Sequence, residues 1–126
     1  MATFRKFEDI KAWQKARRLT SKIYHATSSV RFAQDFGLRN QIQRASVSVM
    51  ANIAEGYGRY SDKEFANFLN MAHASVSEVQ SHLYVALDLS YISAEGFEEL
   101  YNLLEEIGRM TFVLAAHLRK TTKDSS

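Results

Sequence analysis

Between Phe65 and Ser90 one pattern governs the chain. Phe65, Leu69, Ala72, Val76, Val79, Leu83, Ala86 and Ser90 follow one another at alternating steps of four and three. A seam with that period keeps one face of a helix turned toward a partner helix. No strand alternation is sustained anywhere, and the turn dipeptides of hairpins are missing. The chain has no proline, so no helix need be kinked or cut short. The only folds open to such a chain are all-helical.

The helix ends can be read from their caps. Ser61-Asp62-Lys63-Glu64 is a capping box, so the helix that carries the seam starts at Ser61. It should reach about Leu89, roughly 40 Å long. Upstream, Asp9 is placed to cap a helix running to about Thr27, with Ala12, Trp13, Ala16, Leu19, Ile23 and Tyr24 on its apolar side. Val30 to Phe36 is a connector with room for one short helical turn, and Gly37 reads as a break. A second helix spans about Leu38 to Glu55. Leu38, Ile42, Ala45, Val49 and Ile53 form its buried stripe, and Gly56-Tyr57-Gly58 should close it with a left-handed glycine cap. The last helix follows Ser93, runs from Ala94 to about Arg119, and buries Phe97, Leu100, Leu104, Ile107, Thr111, Leu114 and Leu118. Four helices on short connections predict an antiparallel up-down-up-down four-helix bundle. With 126 residues it is one domain, residues 1–126, with an N-terminal arm at 1–7 and a flexible tail at 121–126.

Two helices carry more than one such face. Val47, Met50 and Ala54 make a second apolar stripe on the second helix. From Phe65 to Leu87 the only charged residue is Glu78. The remaining face holds Asn67, Asn70, Met71, Ser75, Ser77 and Gln80, where a solvated face would carry charges. Both features point to a surface covered by another subunit, with Val47, Met50, Ala54 and Met71 as interface residues.

Net charge is only +2, but it is unevenly spread. Residues 1–60 hold 11 Lys/Arg against 4 Asp/Glu, and residues 61–126 hold 5 against 10. Lys11, Lys15, Arg18 and Lys22 fall at steps of four, three and four, a ladder about 16 Å long on one helix face. Such a ladder could follow phosphates by charge alone. It could equally answer the acidic half within or between subunits.

Reactive chemistry finds no footing. Without cysteine there is no disulfide, thiol nucleophile or cysteine zinc site. The four histidines show no Glu-x-x-His spacing, and the HExxH, P-loop and GxGxxG patterns are missing. Gly56-Tyr57-Gly58 follows a helix, which suits a helix end better than a phosphate loop. Asn52, Glu55, Gly56, Ser61 and Glu64 gather at one helix–helix corner, where Asn52 and Glu55 would satisfy backbone groups. The expectation is a non-enzyme with no catalytic residues, metal, cofactor or small-molecule substrate. The N-terminus lacks the apolar run of a secretion signal, and no apolar stretch approaches ~20 residues. A cytoplasmic protein with no membrane partner is expected.

Four segments then carry a resemblance. They are Phe7-Glu8-Asp9-Ile10-Lys11-Ala12-Trp13-Gln14-Lys15-Ala16, Gly37-Leu38-Arg39-Asn40-Gln41-Ile42-Gln43-Arg44-Ala45, Asn52-Ile53-Ala54-Glu55-Gly56-Tyr57-Gly58-Arg59, and Ser61-Asp62-Lys63-Glu64-Phe65. With Leu103-Leu104-Glu105-Glu106-Ile107-Gly108-Arg109-Met110, they resemble the bacterial four-helix-bundle proteins encoded in intervening sequences of 23S rRNA genes, also labelled ribosomal protein S23. The resemblance covers about residues 4–119. It implies a homopentamer, and a kinship with small basic bundle proteins that accompany reverse transcriptases and are thought to bind nucleic acid and the polymerase, so a reverse transcriptase or another protein is a further expected partner. It implies no enzyme. The family often has proline where Met50 stands and glutamate where Gly96 stands, so the last helix should lack a complete capping box and fray at its start. Two functions are open: a nucleic-acid-associated accessory protein binding RNA or DNA through the ladder, and a protein-interaction scaffold that binds none.

Overall fold

The computed structural model describes residues 4–125, with side chains through Thr121. A 3-10 turn at Phe7–Asp9 leads into five α-helices: α1 (Lys11–Ala26), α2 (Val30–Gln34), α3 (Phe36–Tyr57), α4 (Asp62–Asp88) and α5 (Ala94–Ser125). No strand occurs among the described residues. The four long helices pack in a closed order, α1 on α3, α3 on α4, α4 on α5 and α5 on α1.

The seam on α4 is buried from Phe65 through Ala86, with Ala66 beside it. It meets Ile42, Ala45, Val49 and Ile53 of α3 and Leu100, Leu104, Ile107 and Leu118 of α5 in one core. Leu19 and Ile23 of α1 close it. Ser90 does not extend the seam. The helix ends at Asp88, and Ser90 takes a φ of 59°. The N–H groups of Ser90 and Tyr91 then donate back to the carbonyls of Leu87 and Ala86 at 2.9 and 2.8 Å. This closure satisfies two carbonyls that the helix end leaves over.

Several ends depart from the expected ones. Asp9 does not cap α1. Its carboxylate accepts from the amides of Arg5 and Lys6 at 3.1 and 3.3 Å, which folds the segment into the 3-10 turn. The first helix therefore begins at Lys11. The expected N-terminal arm is held from Phe4 onward, where the Tyr57 hydroxyl donates to the Phe4 carbonyl at 2.8 Å. Residues 1–3 lie outside the described residues. Gly37 is no break, since Asp35 accepts from the Leu38 amide at 3.1 Å and starts α3 one residue before the glycine. The connector holds α2, anchored by buried Phe32. At the far end α5 runs to Ser125, so the helix continues through most of the segment expected as a flexible tail. Ser126 lies outside the described residues.

Gly56 differs most from expectation. No glycine among the described residues has positive φ, and α3 continues through Gly56 to Tyr57. The left-handed residue at this corner is Tyr60, with φ of 58°. A Cβ on Gly56 would stand 2.5 Å from the Phe68 Cβ and 3.1 Å from Phe65 Cδ1. Glycine is there to let α3 and α4 approach, not to turn the chain. Ser61 caps α4, its hydroxyl accepting from the Glu64 amide at 3.3 Å, but among the described residues the Glu64 carboxylate does not complete the expected capping box. Ser93 does the same for the Gly96 amide at 3.0 Å, so α5 keeps the hydroxyl part of its cap.

The Gly56 contact yields a direct test. Gly56→Ala should destabilise the fold by about 1–3 kcal/mol, the range for overfilling a packed site. Urea unfolding checks it: the midpoint should drop with an unchanged slope.

Candidate binding surfaces

The basic ladder faces α5, and the structure divides it. Lys15 Nζ lies 3.1 Å from Glu106 Oε1, and Lys22 Nζ lies 2.6 Å from Glu99 Oε1. These pairs step seven residues along each helix in opposite directions, as one register requires. The Lys22 hydrogen bond, and then its charge, hold the Glu99 carboxyl below the usual carboxylate range, with a lesser pull from Arg18. Lys11 and Arg18 are exposed, with no salt bridge among the described residues. Two rungs are thus neutralised within the chain and two are not. Exposed pairs of this kind contribute little to stability, but they do remove charge from a surface.

The expected interface residues also divide. Val47 on α3 is 39% exposed and Met71 on α4 is 48% exposed, and both stand on outward faces of two helices packed together. Met50 is half-buried against the core, and Ala54 is half-buried. The period of 3.6 explains the difference. Met50 falls on the side of α3 that carries Ser46, whose carbonyl accepts from Thr20 of α1 at 3.2 Å. The outward face instead adds Ala51 and Ala74, both exposed and both absent from the sequence reading.

The corner expected between the second and third long helices resolves into separate roles. Asn52 does not serve the corner. Its amide donates to the Ser48 carbonyl and hydroxyl at 2.9 and 3.0 Å, and the Ser48 hydroxyl lies 3.0 Å from that of Ser75. These three side chains join α3 to α4. Among the described residues, Glu55 forms a salt bridge with Arg59 alone, at 3.9 Å.

Aromatic groups mark the two ends of the bundle. Phe4, Tyr57 and Phe65 meet edge to face at one end. At the other, the Tyr91 hydroxyl donates to Asp35 at 2.9 Å, and that bond pushes the phenol pKa up. The sequence reading also passed over Phe112 and Val113 of α5, which are 63% and 64% exposed. Their signal was present: they sit side by side between Thr111 and Leu114, off the buried stripe.

No three His, Asp or Glu side chains among the described residues are placed to hold a metal ion. Among those residues, no helix is long and apolar enough to cross a membrane.

Comparison with known proteins adds the following. A family model described as 23S rRNA-intervening sequence protein matches residues 8–112. A crystal structure from Bacteroides thetaiotaomicron, described as a protein with unknown function from the S23 ribosomal protein family, is similar. It aligns over 82% of this chain and 97% of that one, with a TM-score of 0.75 and 26% sequence identity. No curated protein matches the chain.

The Lys22–Glu99 pair predicts a pH signature. A carboxylate whose folded pKa is depressed adds stability above its unfolded pKa and loses it as pH falls through the folded one. Glu99→Gln should therefore lower the melting temperature near neutral pH. The gap to wild type should close once the solution is below the carboxylate range. Melting curves of both proteins from about pH 7 to about pH 2 check this, and a gap that persists in acid would contradict it.

Proposed function

This chain belongs to the 23S rRNA-intervening sequence protein family, and from there we propose that it is a non-enzymatic scaffold, an antiparallel up-down-up-down four-helix bundle that assembles with copies of itself. The antiparallel order is supported by side-chain pairs that run in opposite directions between neighbours. Thr20 meets Ser46 while Thr27 meets Gln43, and Gln80 meets Glu105 while Asn67 meets Arg119.

One observation carries the assembly. The outward face of α3 and α4 presents Val47, Ala51, Met71 and Ala74, all exposed. The polar groups of Ser48, Asn52 and Ser75 are satisfied by one another. Covering these exposed apolar side chains removes them from water, and the small ones let another helix come close. A pentamer is the state the family resemblance implies. Sedimentation equilibrium should give about five chain masses, and Val47→Glu with Met71→Glu should yield helical monomers. A wild-type protein that sediments as a monomer overturns the assembly.

The unpaired cations favour a second reading, association with RNA or DNA. Lys11 and Arg18 of the ladder, with Arg5, Lys6 and Arg17, are exposed and form no salt bridge among the described residues. A pentamer would repeat that group in every subunit and strengthen its field. Because Lys15 and Lys22 are already paired, the test separates the rungs. Fluorescence anisotropy with a single-stranded RNA across ~50–300 mM salt should show steep salt dependence. Lys11→Glu with Arg18→Glu should weaken binding by about tenfold or more, whereas Lys15→Gln with Lys22→Gln should change it little. No binding at the lowest salt leaves the scaffold alone.

A further inference from the structure

The ion pairs between α1 and α5 stop short of the end of the ladder. Lys22 meets Glu99 and Lys15 meets Glu106. One turn further, the same register sets Lys11 opposite Met110. No acid of α5 is there to answer it. Instead the two helices and the residues before α1 enclose an open groove of about 710 Å³.

Its walls are apolar. Ile10 and Ala12 are buried, and Met110 and Leu114 are half-buried. Its rim is basic, with Lys11, Arg109 and His117, all exposed. Neither Lys11 nor Arg109 has a carboxylate within salt-bridge distance among the described residues. Asp9, the one acid lining the groove, is occupied by the amides of Arg5 and Lys6.

The apolar surface continues past the groove. Val113 forms part of its edge, and Phe112 stands beside it on the outside of α5. Beyond that ridge lies a second groove of about 530 Å³, between α4 and α5, into which Gly108 opens. Arg109 and Val113 line both grooves. A small amphiphile would fill one groove and leave the ridge bare. An occupant long enough to lie along α5 would cover the ridge and bring acids to the rim.

We propose that this edge of the bundle docks a partner protein's amphipathic helix, one with an apolar stripe flanked by Asp or Glu. The stripe covers Val113 and Phe112 and seats side chains in the α1–α5 groove. Its carboxylates supply to Lys11 and Arg109 the acid that α5 supplies to Lys15 and Lys22. Helix-in-groove recognition of this kind takes its affinity from apolar anchors and its orientation from the charged rim. In a five-membered ring the α3–α4 face meets a different surface of the next copy, so the sedimenting mass of an edge variant separates docking at this edge from self-assembly.

The test uses the intact protein and a labelled peptide of roughly 18 residues, with leucines at i, i+4, i+7 and i+11 and glutamates on either side of them. Anisotropy should show saturable binding with a Kd of about 10–100 µM. Lys11→Glu with Arg109→Glu should weaken it by about tenfold or more, as should replacing the peptide's glutamates with lysines. Val113→Glu should weaken it without changing the sedimenting mass. Circular dichroism on each variant confirms that the bundle is folded. Three results overturn the proposal: no binding of the acidic peptide, equal binding of the lysine peptide, or full binding to Lys11→Glu/Arg109→Glu. A lower mass for Val113→Glu also overturns it, by making the edge a contact between copies. Displacement of the peptide by single-stranded RNA that itself needs Lys11 and Arg109 overturns it too, by giving the rim to phosphates.

Discussion

Everything in this bundle is arranged around a helix that must be covered on two sides. The seam on α4 faces α3 along one flank and α5 along the other, and the residues that fill it are kept small where the helices come nearest. Ala66, Ala72 and Ala86 are all fully buried. Gly56 of α3 goes further. Its missing side chain is the space that the Phe68 Cβ needs. Gly108 of α5 lies against the same helix with more room, since a Cβ there would meet Val76 at an ordinary 3.6 Å. The α3–α4 approach is therefore the tight one, and α5 and α1 close the core around it.

That packing also decides where the charge goes. A basic first half and an acidic second half look like an invitation to an anionic partner. Once α1 lies against α5, with Lys15 at Glu106 and Lys22 at Glu99, part of the imbalance is used internally. Lys15 and Lys22 are neutralised by Glu106 and Glu99, while Lys11 and Arg18 of the same ladder are left over. At the start of α1 the result is a group of unpaired cations, Arg5, Lys6 and Lys11, next to apolar surface on the late part of α5. Charge and apolar area at one edge make a binding surface of a different kind from a bare phosphate track.

The elements with strong periods were legible in advance. The α4 seam, the Ser61 cap and the buried stripes of α3 and α5 follow from spacing, because side chains on a helix face recur at three and four residues whatever the neighbours are. The weak points were short polar residues with more than one use. Asp9 could have capped a helix, but two nearby amides claimed it first. Asp35 turned what looked like a glycine break into a helix start. Gly56 predicts a cap from sequence, because glycine usually ends helices through its left-handed conformation. Its actual role depends on Phe68, twelve residues away and on another helix, and no local pattern records that. The binding residues were half legible: the ladder was visible, but which rungs remain free depended on the register of α5.

By itself the sequence determined that this protein is helical, where its long helices run, and which stripe of each is buried. It did so because helical propensity, capping and apolar period are local properties, set within a few residues. Tertiary structure alone decided which helices are neighbours and in what register. It thereby decided that Lys15 and Lys22 are paired while Lys11 is not, that Met50 turns inward while Val47 and Met71 turn out, and that Phe112 and Val113 stand uncovered. Those outcomes depend on distances between residues far apart in the chain, and only the packed core brings such residues together.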